Sequence, residues 1–508
     1  MRWVAVALLL HLLLAAALGL SPDEAHYALY ARHLDWSYFD HPPLVGWVQW
    51  PWLQLGGDDL LMRVVPLGCW LIASVGLVRL TRALWADDAP LLSRPYGGPP
   101  PIRQVLLLWL LSPLPHLLGV ALVPDTLLLP LVCLLMIITW RLASAQSAQR
   151  LSLWVAMGLC LGLAGLAKYT AALLALSVLI ALTLAHGTRL LRMPGLWIAA
   201  LVALLLITPV LVWNATHDWI SFAYQFGRIS GEDGWRPTRL AGFVAVQLLA
   251  FGVLPALGVA VARGEPGRLT PRGLCLSFGL PLLALLVYLS GRGMPLPHWS
   301  APAWLALLPL AARGLQQSWW LKGRALTVLA GWQALVCAAA LVLLLTGGWA
   351  TEREPLASAA PGEHLDKAER NPMADLHGWA AASARARTLA EREGLPALAV
   401  MNWSLASRLA WYARPLPVHV VQRRDDQFDL WFGGLQPGAQ VLLVDWSAMG
   451  FAPPVGAQAF RTCTLLEQWP VMHAGRQLAH FNFQRCEDWQ GSPRPRPGTR
   501  AARSPEGP

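Results

Sequence analysis

Long apolar runs recur along this 508-residue chain and constrain its fold more than any other feature. A helix of about 20 apolar residues crosses the hydrocarbon core of a bilayer, which is ~30 Å thick. About eleven such runs occur, which predicts an α-helical polytopic membrane protein whose first helix is retained rather than cleaved as a signal peptide. They lie at residues 3–20, 61–80, 104–121, 124–140, 152–167, 169–186, 196–213, 241–262, 274–290, 300–312 and 326–347.

The composition supports this class and excludes others. Hydrophobic residues make up 56% of the chain, charged residues 13%, and the mean hydropathy is +0.45. Because soluble domains carry about 25% charged residues, the composition argues against a soluble enzyme, a disordered protein and a disulfide-rich secreted scaffold. The net charge of +10 does not indicate a nucleic-acid partner, since the basic residues stand singly between apolar runs.

The distribution of Arg and Lys between the loops predicts the orientation. One side of the membrane receives most of these residues, among them Arg141, Arg189 and Arg263, and the richer side is expected to be cytoplasmic. The N-terminus is then inside, and the odd number of crossings puts the C-terminal part outside. Residues 1–348 are expected to form the transmembrane domain, with a long first outer loop at 21–59.

The C-terminal part has a different pattern. Short β-rich runs at 397–401, 418–421 and 441–444 alternate with helical stretches at 376–392 and 404–413. This alternation predicts a small α/β extracytoplasmic domain over residues 349–488. Residues 489–508 are rich in Pro, Arg, Gly and Ser, and their low apolar content predicts a disordered tail.

Two of the seven cysteines, Cys463 and Cys486, lie outside the apolar runs. If the C-terminal domain is outside the cytoplasm, its compartment is oxidising, and a disulfide between them is expected. Two unpaired, buried thiols are the alternative.

Ionisable residues gather in the predicted outer loops, where charge near a bilayer is costly and indicates function. Ser21-Pro22-Asp23-Glu24 fits a helix capping box made by Ser21 and Glu24. Asp23 is not needed for that cap, so it is either an acid that suits the helix dipole or a general base. Asp125 could cap the next helix, and Lys168 fits a snorkelling anchor at a helix end, although the anchors elsewhere in this chain are Arg.

Four short motifs in sequence order carry a resemblance to a known family. They resemble motifs of bacterial polyprenyl-phosphate-dependent glycosyltransferases of the C-type fold, relatives of protein O-mannosyltransferases and lipid A aminoarabinose transferases. The motifs are Asp23-Glu24-Ala25-His26-Tyr27, Tyr38-Phe39-Asp40-His41-Pro42-Pro43-Leu44, Pro124-Asp125 and Gly165-Leu166-Ala167-Lys168-Tyr169. The resemblance covers residues 1–310, with further similar segments at 213–219 and 297–299. Residues 402–431 look like the small extracytoplasmic domain of many members.

The resemblance implies a sugar donor carried on a polyprenyl phosphate, with the phosphate as the leaving group. Negative charge that develops on this phosphate needs cations nearby. Lys168 matches the phosphate-contacting lysine of the family, and Arg228 is expected to be a second cation. Asp23 matches the acid that activates the acceptor, and Asp125 matches an acid that shapes the sugar and acceptor site. The full predicted set is catalytic Asp23, Glu24 and Asp125, and substrate-binding Lys168, Arg228, His41, Asp40, Tyr27 and His298.

The sequence departs from the family at Asp40-His41, where the aminoarabinose transferases carry Glu-Lys. Since His is not permanently cationic, phosphate binding must rely on other residues, which weakens the case for aminoarabinose as the sugar. No cofactor is expected, although a divalent ion held by Asp40, His41 and His298 is an alternative.

The predicted function is metal-independent, inverting transfer of a sugar from a polyprenyl-phosphate donor on the periplasmic face of a bacterial inner membrane. The acceptor is lipid A, another envelope glycan or a protein. A polytopic transporter or lipid flippase is the rival. Transporters place their sites at the bilayer midplane, in broken helices of repeated halves, whereas here the acids lie at one end and no repeat is evident.

Overall fold

The computed structural model describes residues 2–85, 99–230, 234–264, 267–293, 295–321, 323–348, 371–421, 425–451 and 453–491. The first nineteen helices are α1 (Arg2–Ala17), α2 (Pro22–Arg32), α3 (Leu44–Trp47), α4 (Trp50–Gln54), α5 (Asp59–Met62), α6 (Val64–Trp85), α7 (Ile102–Leu111), α8 (Pro113–Leu118), α9 (Pro124–Leu142), α10 (Ala145–Ala148), α11 (Leu151–Ala167), α12 (Ala171–His186), α13 (Pro194–Thr216), α14 (Ile220–Ser230), α15 (Pro237–Phe251), α16 (Val253–Val261), α17 (Pro271–Ser290), α18 (Ala301–Gln317) and α19 (Arg324–Thr346). The C-terminal elements in chain order are α20 (Trp379–Arg392), β1 (Leu398–Val400), α21 (Trp403–Tyr412), β2 (Val418–Val420), α22 (Gln427–Phe432), β3 (Val441–Trp446), β4 (Phe460–His473) and β5 (Arg476–Trp489).

Each predicted apolar run contains a helix. Within the described residues, six helical segments are long and apolar enough to cross a membrane, or up to eight if each of two bent helix pairs is one span. Helices α7 and α11 are shorter apolar helices. The prediction of a multi-pass helical membrane protein is therefore confirmed.

Helices α15 and α16 form one of the bent pairs, with an angle of 99° between them. The bend lies at Gly252, whose φ of +86° favours glycine. A Cβ at this position would lie 2.0 Å from the side-chain nitrogen of Gln333. Gln333 also accepts the Leu254 backbone N–H at 3.0 Å, so its amide satisfies a backbone donor next to the bend.

The chain divides into two compact units, and the first contains residues 1–16, 41–212 and 225–339. Helices α9 and α18 lie inside this unit, and nearly all residues of α18 are buried. Helix α9 packs against α6 and α11, whereas α18 packs against α16 and α17. The parts of α13 and α19 in this unit are mostly exposed and apolar, as expected for helices that face lipid.

The second unit contains residues 17–40, 213–224 and 340–508. Its five-stranded sheet has the order β2-β1-β3-β5-β4. Strands β1, β2 and β3 pair in parallel, and β5 pairs antiparallel with β3 and β4. The core on this sheet includes Ala399, Leu443, Phe460 and Trp489. The small C-terminal sheet domain is thus present, with strands β1 to β3 where the sequence predicts them.

The hairpin of β4 and β5 was not predicted from the sequence. Its turn has Ala474 and Gly475 in the left-handed region, with φ of 48° and 74°, as tight antiparallel hairpins prefer. Cys463 and Cys486 lie directly opposite each other on these strands and form a disulfide, which confirms the predicted pairing. Trp489 ends β5, and residues 492–508 of the predicted tail lie outside the described residues.

Replacement of Cys463 with Ser is expected to destabilise the C-terminal domain. The disulfide closes a loop with a sequence separation of 23 residues, and such a loop contributes roughly 3 kcal/mol in the chain-entropy model. Denaturation of the purified protein, followed by Trp fluorescence, should show a lower midpoint. Cys160→Ser, which removes a free cysteine of the first unit, should leave the midpoint unchanged. Alkylation of both Cys463 and Cys486 without prior reduction would contradict the disulfide.

Candidate active site

The Ser21-Pro22-Asp23-Glu24 segment begins helix α2 as the capping motif predicts. The Glu24 backbone N–H donates to Ser21 Oγ at 3.4 Å, and the Ser21 backbone N–H donates to Glu24 Oε2 at 3.0 Å. The buried Glu24 carboxylate therefore stabilises the helix start. Asp23 lies in the first turn and is partly exposed, at a position where the helix dipole favours negative charge.

Asp40 is held by two side chains of α2. The Tyr30 hydroxyl donates to Asp40 Oδ1, and His26 Nε2 lies 3.5 Å from the same oxygen. The other ring nitrogen of His26 lies 3.2 Å from Ser407 Oγ on α21. Asp40 therefore connects the end of the 17–40 segment to α2 and, through His26, to the C-terminal domain.

Aromatic side chains surround His26. Tyr27 is buried, and its ring lies 5.7 Å from His26 and 5.5 Å from Tyr30 in edge-on contacts. Trp403 and Phe428, from α21 and α22, lie 5.3 and 6.0 Å from the His26 ring. The site prediction did not include these two residues or Ser407. The one sequence signal for them is the family-like stretch at 402–431.

The loop before Asp40 is also fixed by the rest of the second unit. The Phe39 backbone N–H donates to Gln427 Oε1 at 2.7 Å, and Ser221 Oγ donates to the Tyr38 carbonyl at 2.8 Å. The Tyr38 hydroxyl donates to the Tyr30 carbonyl at 2.9 Å. Burial raises the pKa of Tyr38 above its ordinary value, so this hydroxyl remains protonated and able to donate.

Asp125 and Lys168 form a buried ion pair in the first unit. Lys168 Nζ donates to Asp125 Oδ2 at 2.6 Å, and the two residues are 5% and 1% exposed. His298 Nε2 lies 3.7 Å from the same oxygen, and Nζ lies 5.3 Å from the centre of the Trp299 ring. Asp125 Oδ1 is buried with no hydrogen-bond partner among the described residues. Three predicted site residues therefore meet here, around a carboxylate that retains an acceptor oxygen.

Neither member of the pair has the simpler structural role considered for it. Thr126 rather than Asp125 supports the start of α9, because Thr126 Oγ1 accepts the Val123 backbone N–H at 3.3 Å and donates to the Ala121 carbonyl at 3.1 Å. Lys168 follows the end of α11, but its side chain is buried rather than extended to the interface. Its charge is compensated by Asp125 instead of by water.

The last two predicted residues are His41 and Arg228. His41 is partly exposed at the start of the 41–212 stretch of the first unit. Arg228 belongs to α14, and its side chain lies outside the described part of the chain. No group of three or more His, Cys, Asp or Glu residues suited to a metal ion occurs within the described ranges, so the alternative site at Asp40, His41 and His298 gains no support.

Loss of Asp125 should destabilise the protein strongly. Asp125→Ala leaves the Lys168 ammonium buried without its carboxylate, and breaking one side of such a pair costs about 3–5 kcal/mol. Thermal unfolding in detergent should show a large drop in midpoint. Asp488→Asn is the matched control, because its pair with Arg461 has exposed side chains (37% and 68%) and exposed pairs contribute at most about 1 kcal/mol. Equal midpoints for the two variants would argue against a buried pair.

Comparison with known proteins identifies related sequences. Residues 40–213 match the family model described as dolichyl-phosphate-mannose-protein mannosyltransferase. The lipid A galacturonosyltransferase RgtD of Rhizobium johnstonii is 26% identical over 301 residues, which cover 58% of this chain and 61% of that protein. The chain thus matches about three fifths of the length of this curated relative.

Two crystal structures of ArnT from Cupriavidus metallidurans have the same fold. The apo structure gives a TM-score of 0.58, and the structure bound to undecaprenyl phosphate gives 0.60. Each is 16% identical to this chain, and each comparison covers 95% of this chain and 97% of the other. Together with the four sequence motifs, the family model and the RgtD relative show that the chain is similar to polyprenyl-phosphate-dependent glycosyltransferases, and the two crystal structures show that it has the fold of ArnT.

Proposed function

We propose that this protein transfers a sugar from a polyprenyl-phosphate donor to a lipid A-type acceptor of the cell envelope. The observation that carries the proposal is the buried Asp125–Lys168 pair, in which Lys168 Nζ and Asp125 Oδ2 are 2.6 Å apart. Both residues belong to motifs that resemble this family. A cation held at depth by one carboxylate is suited to a phosphate, whose charge increases as the glycosidic bond breaks.

The relatives support the same class of donor and acceptor. The RgtD relative is named for lipid A and galacturonic acid, and one ArnT structure contains undecaprenyl phosphate. By extension to this chain, the donor is a sugar linked to a polyprenyl phosphate and the acceptor is a lipid. Other glycans and proteins remain alternatives for the acceptor.

The proposed reaction is a single inverting displacement. The acceptor oxygen forms a bond to the anomeric carbon while the bond from that carbon to the phosphate oxygen breaks. Asp23 accepts the hydroxyl proton, and the polyprenyl phosphate leaves with the bonding electrons. Lys168, with Arg228 as a second cation, stabilises the negative charge on the phosphate. Tyr27, Asp40, His41 and His298 are proposed to contact substrate, and the Glu24 cap keeps the Asp23 turn in place.

We also propose the number of membrane spans and their orientation. Eleven spans in residues 1–348 would put the loop 21–59 and the domain 349–488 in the periplasm, with a tail at 489–508. The excess of Arg and Lys on the opposite loops supports this orientation. The same orientation places the Cys463–Cys486 disulfide in an oxidising compartment.

A fusion experiment tests the orientation. Alkaline phosphatase fused after Pro495 should be active, and a fluorescent protein that matures only in the cytoplasm should be dark at the same site. Matched fusions in the 263–272 loop, which carries Arg263, Arg268 and Arg272, should give the reverse pattern. The opposite result at Pro495 would place the motifs on the cytoplasmic face and contradict the proposal.

Asp23→Asn tests the proposed base. The substitution removes proton acceptance but preserves the Ser21–Glu24 cap, so membrane insertion and unfolding temperature should be near wild type. Turnover on a hydroxyl acceptor should fall by about 10²–10⁴, the usual contribution of a general base. Asp35→Asn, which changes another acid of the same loop, should retain activity. A well-folded Asp23→Asn protein with wild-type turnover would exclude Asp23 as the base.

A further inference from the structure

Arg408 on α21 is fully buried in the second unit, with 0% of its surface exposed. Its Nη1 donates to the Asp375 carbonyl at 2.7 Å and to Asp375 Oδ1 at 2.5 Å. The guanidinium carbon lies 3.6 Å from the centre of the Trp379 ring and 5.5 Å from that of Trp446. Its Nε and Nη2 are buried without hydrogen-bond partners among the described residues.

A cation in this state is costly for the fold. Burial lowers the pKa of Arg408, whereas the charges of Asp375, Tyr412 and Asp23 raise it. Each unpartnered buried donor carries a desolvation penalty, and replacement of a buried ion pair by apolar side chains is often neutral or stabilising. Stability alone therefore does not account for an arginine here, so its charge is expected to act on neighbouring groups.

Helix α2 packs against α21, and the charge of Asp23 on α2 acts on Arg408 on α21. On one side, the Leu20 backbone N–H donates to the Tyr412 hydroxyl at 2.8 Å. On the other side, His26 Nδ1 lies 3.2 Å from Ser407 Oγ. Asp23 lies between Leu20 and His26 in the chain, and Arg408 lies between Ser407 and Tyr412, so these two contacts bracket the pair.

We propose that Arg408 is a positioning residue for Asp23, whose ionised carboxylate it stabilises at the start of α2. This inference rests on the proposed function, in which Asp23 must be ionised to accept the proton of the acceptor hydroxyl. The cation favours the carboxylate form, and the helix pairing fixes the first turn that carries it. Other titratable groups near this turn in the second unit include Glu24, His26 and Tyr27 on α2, Tyr412 on α21, and Asp375, which pairs with Arg408.

The sign of the effect follows from the charges. Without Arg408, Asp23 would bind a proton at higher pH, so the acid limb of the kcat/KM profile should move upward. Asp375 neutralises part of the Arg408 charge. Removal of the Asp375 carboxylate should therefore move the acid limb to lower pH or leave it unchanged. Loss of a contact that merely supports Asp23 should move the acid limb to higher pH.

The test measures sugar transfer by the full-length protein as a function of pH. Arg408→Met should move the acid limb up by about one pH unit, a roughly tenfold loss of kcat/KM at pH well below the limb. Activity at high pH and KM for the donor should change less than about threefold. Arg408→Lys keeps the charge and should restore the wild-type limb, and Asp375→Asn should not move the limb upward.

Arg385→Met is the matched control. Arg385 lies in the same unit, pairs with Glu467 and lies 6.0 Å from the Trp469 ring, as Arg408 pairs with Asp375 beside Trp379. Its loss should leave the pH profile unchanged. An unshifted limb in folded Arg408→Met, or an upward shift in Arg408→Lys or Asp375→Asn, would overturn the role of Arg408. If Arg408→Met fails to fold, the acid limbs of Arg408→Lys and Asp375→Asn test the role of Arg408. Absence of transfer by the wild-type protein would instead refute the proposed function.

Discussion

A charge buried away from water must have a partner, and the arrangement of both units reflects this constraint. In the first unit, the Lys168 ammonium lies against Asp125 at the junction that follows α11. In the second unit, Asp40 is held by Tyr30 and His26, and Arg408 is held by Asp375 and lies over the Trp379 ring. These groups fix helix ends and loop segments that the apolar packing alone would leave adjustable.

The C-terminal domain also supports the segment that carries the proposed base. Helix α2, which carries Asp23, packs against α21 and belongs to the same compact unit as the sheet. Gln427, at the start of α22, binds the backbone of the segment that ends at Asp40. The domain therefore supports the loop that carries the proposed base, and its integrity should matter for catalysis as well as for stability.

Local patterns predicted much of this fold. Apolar length located a helix in each of the eleven long runs, and short β-rich runs located strands β1 to β3, because these signals lie within a short stretch of sequence. The β4–β5 hairpin was missed, since its strands are long and β4 contains Pro470, a residue that argues against a strand in a sequence. The Ser21–Glu24 cap was predictable because its partners are three residues apart.

The partners within the site were not predictable in the same way. Lys168 and Asp125 are 43 residues apart, and His26 and Ser407 are 381 residues apart. Only the folded chain identifies such pairs. The family resemblance selected Asp125 and Lys168 as site residues, but their ion pair and the burial of Arg408 came from the structure.

The most direct test of the central claim is a transfer assay with purified protein in proteoliposomes. The donor is a polyprenyl phosphate that carries a labelled sugar, and the acceptor is lipid A in the same membrane. A glycosyltransferase should label lipid A and release one polyprenyl phosphate for each sugar transferred. Movement of intact donor to the opposite leaflet without labelled lipid A or released polyprenyl phosphate would contradict the account and favour a transporter.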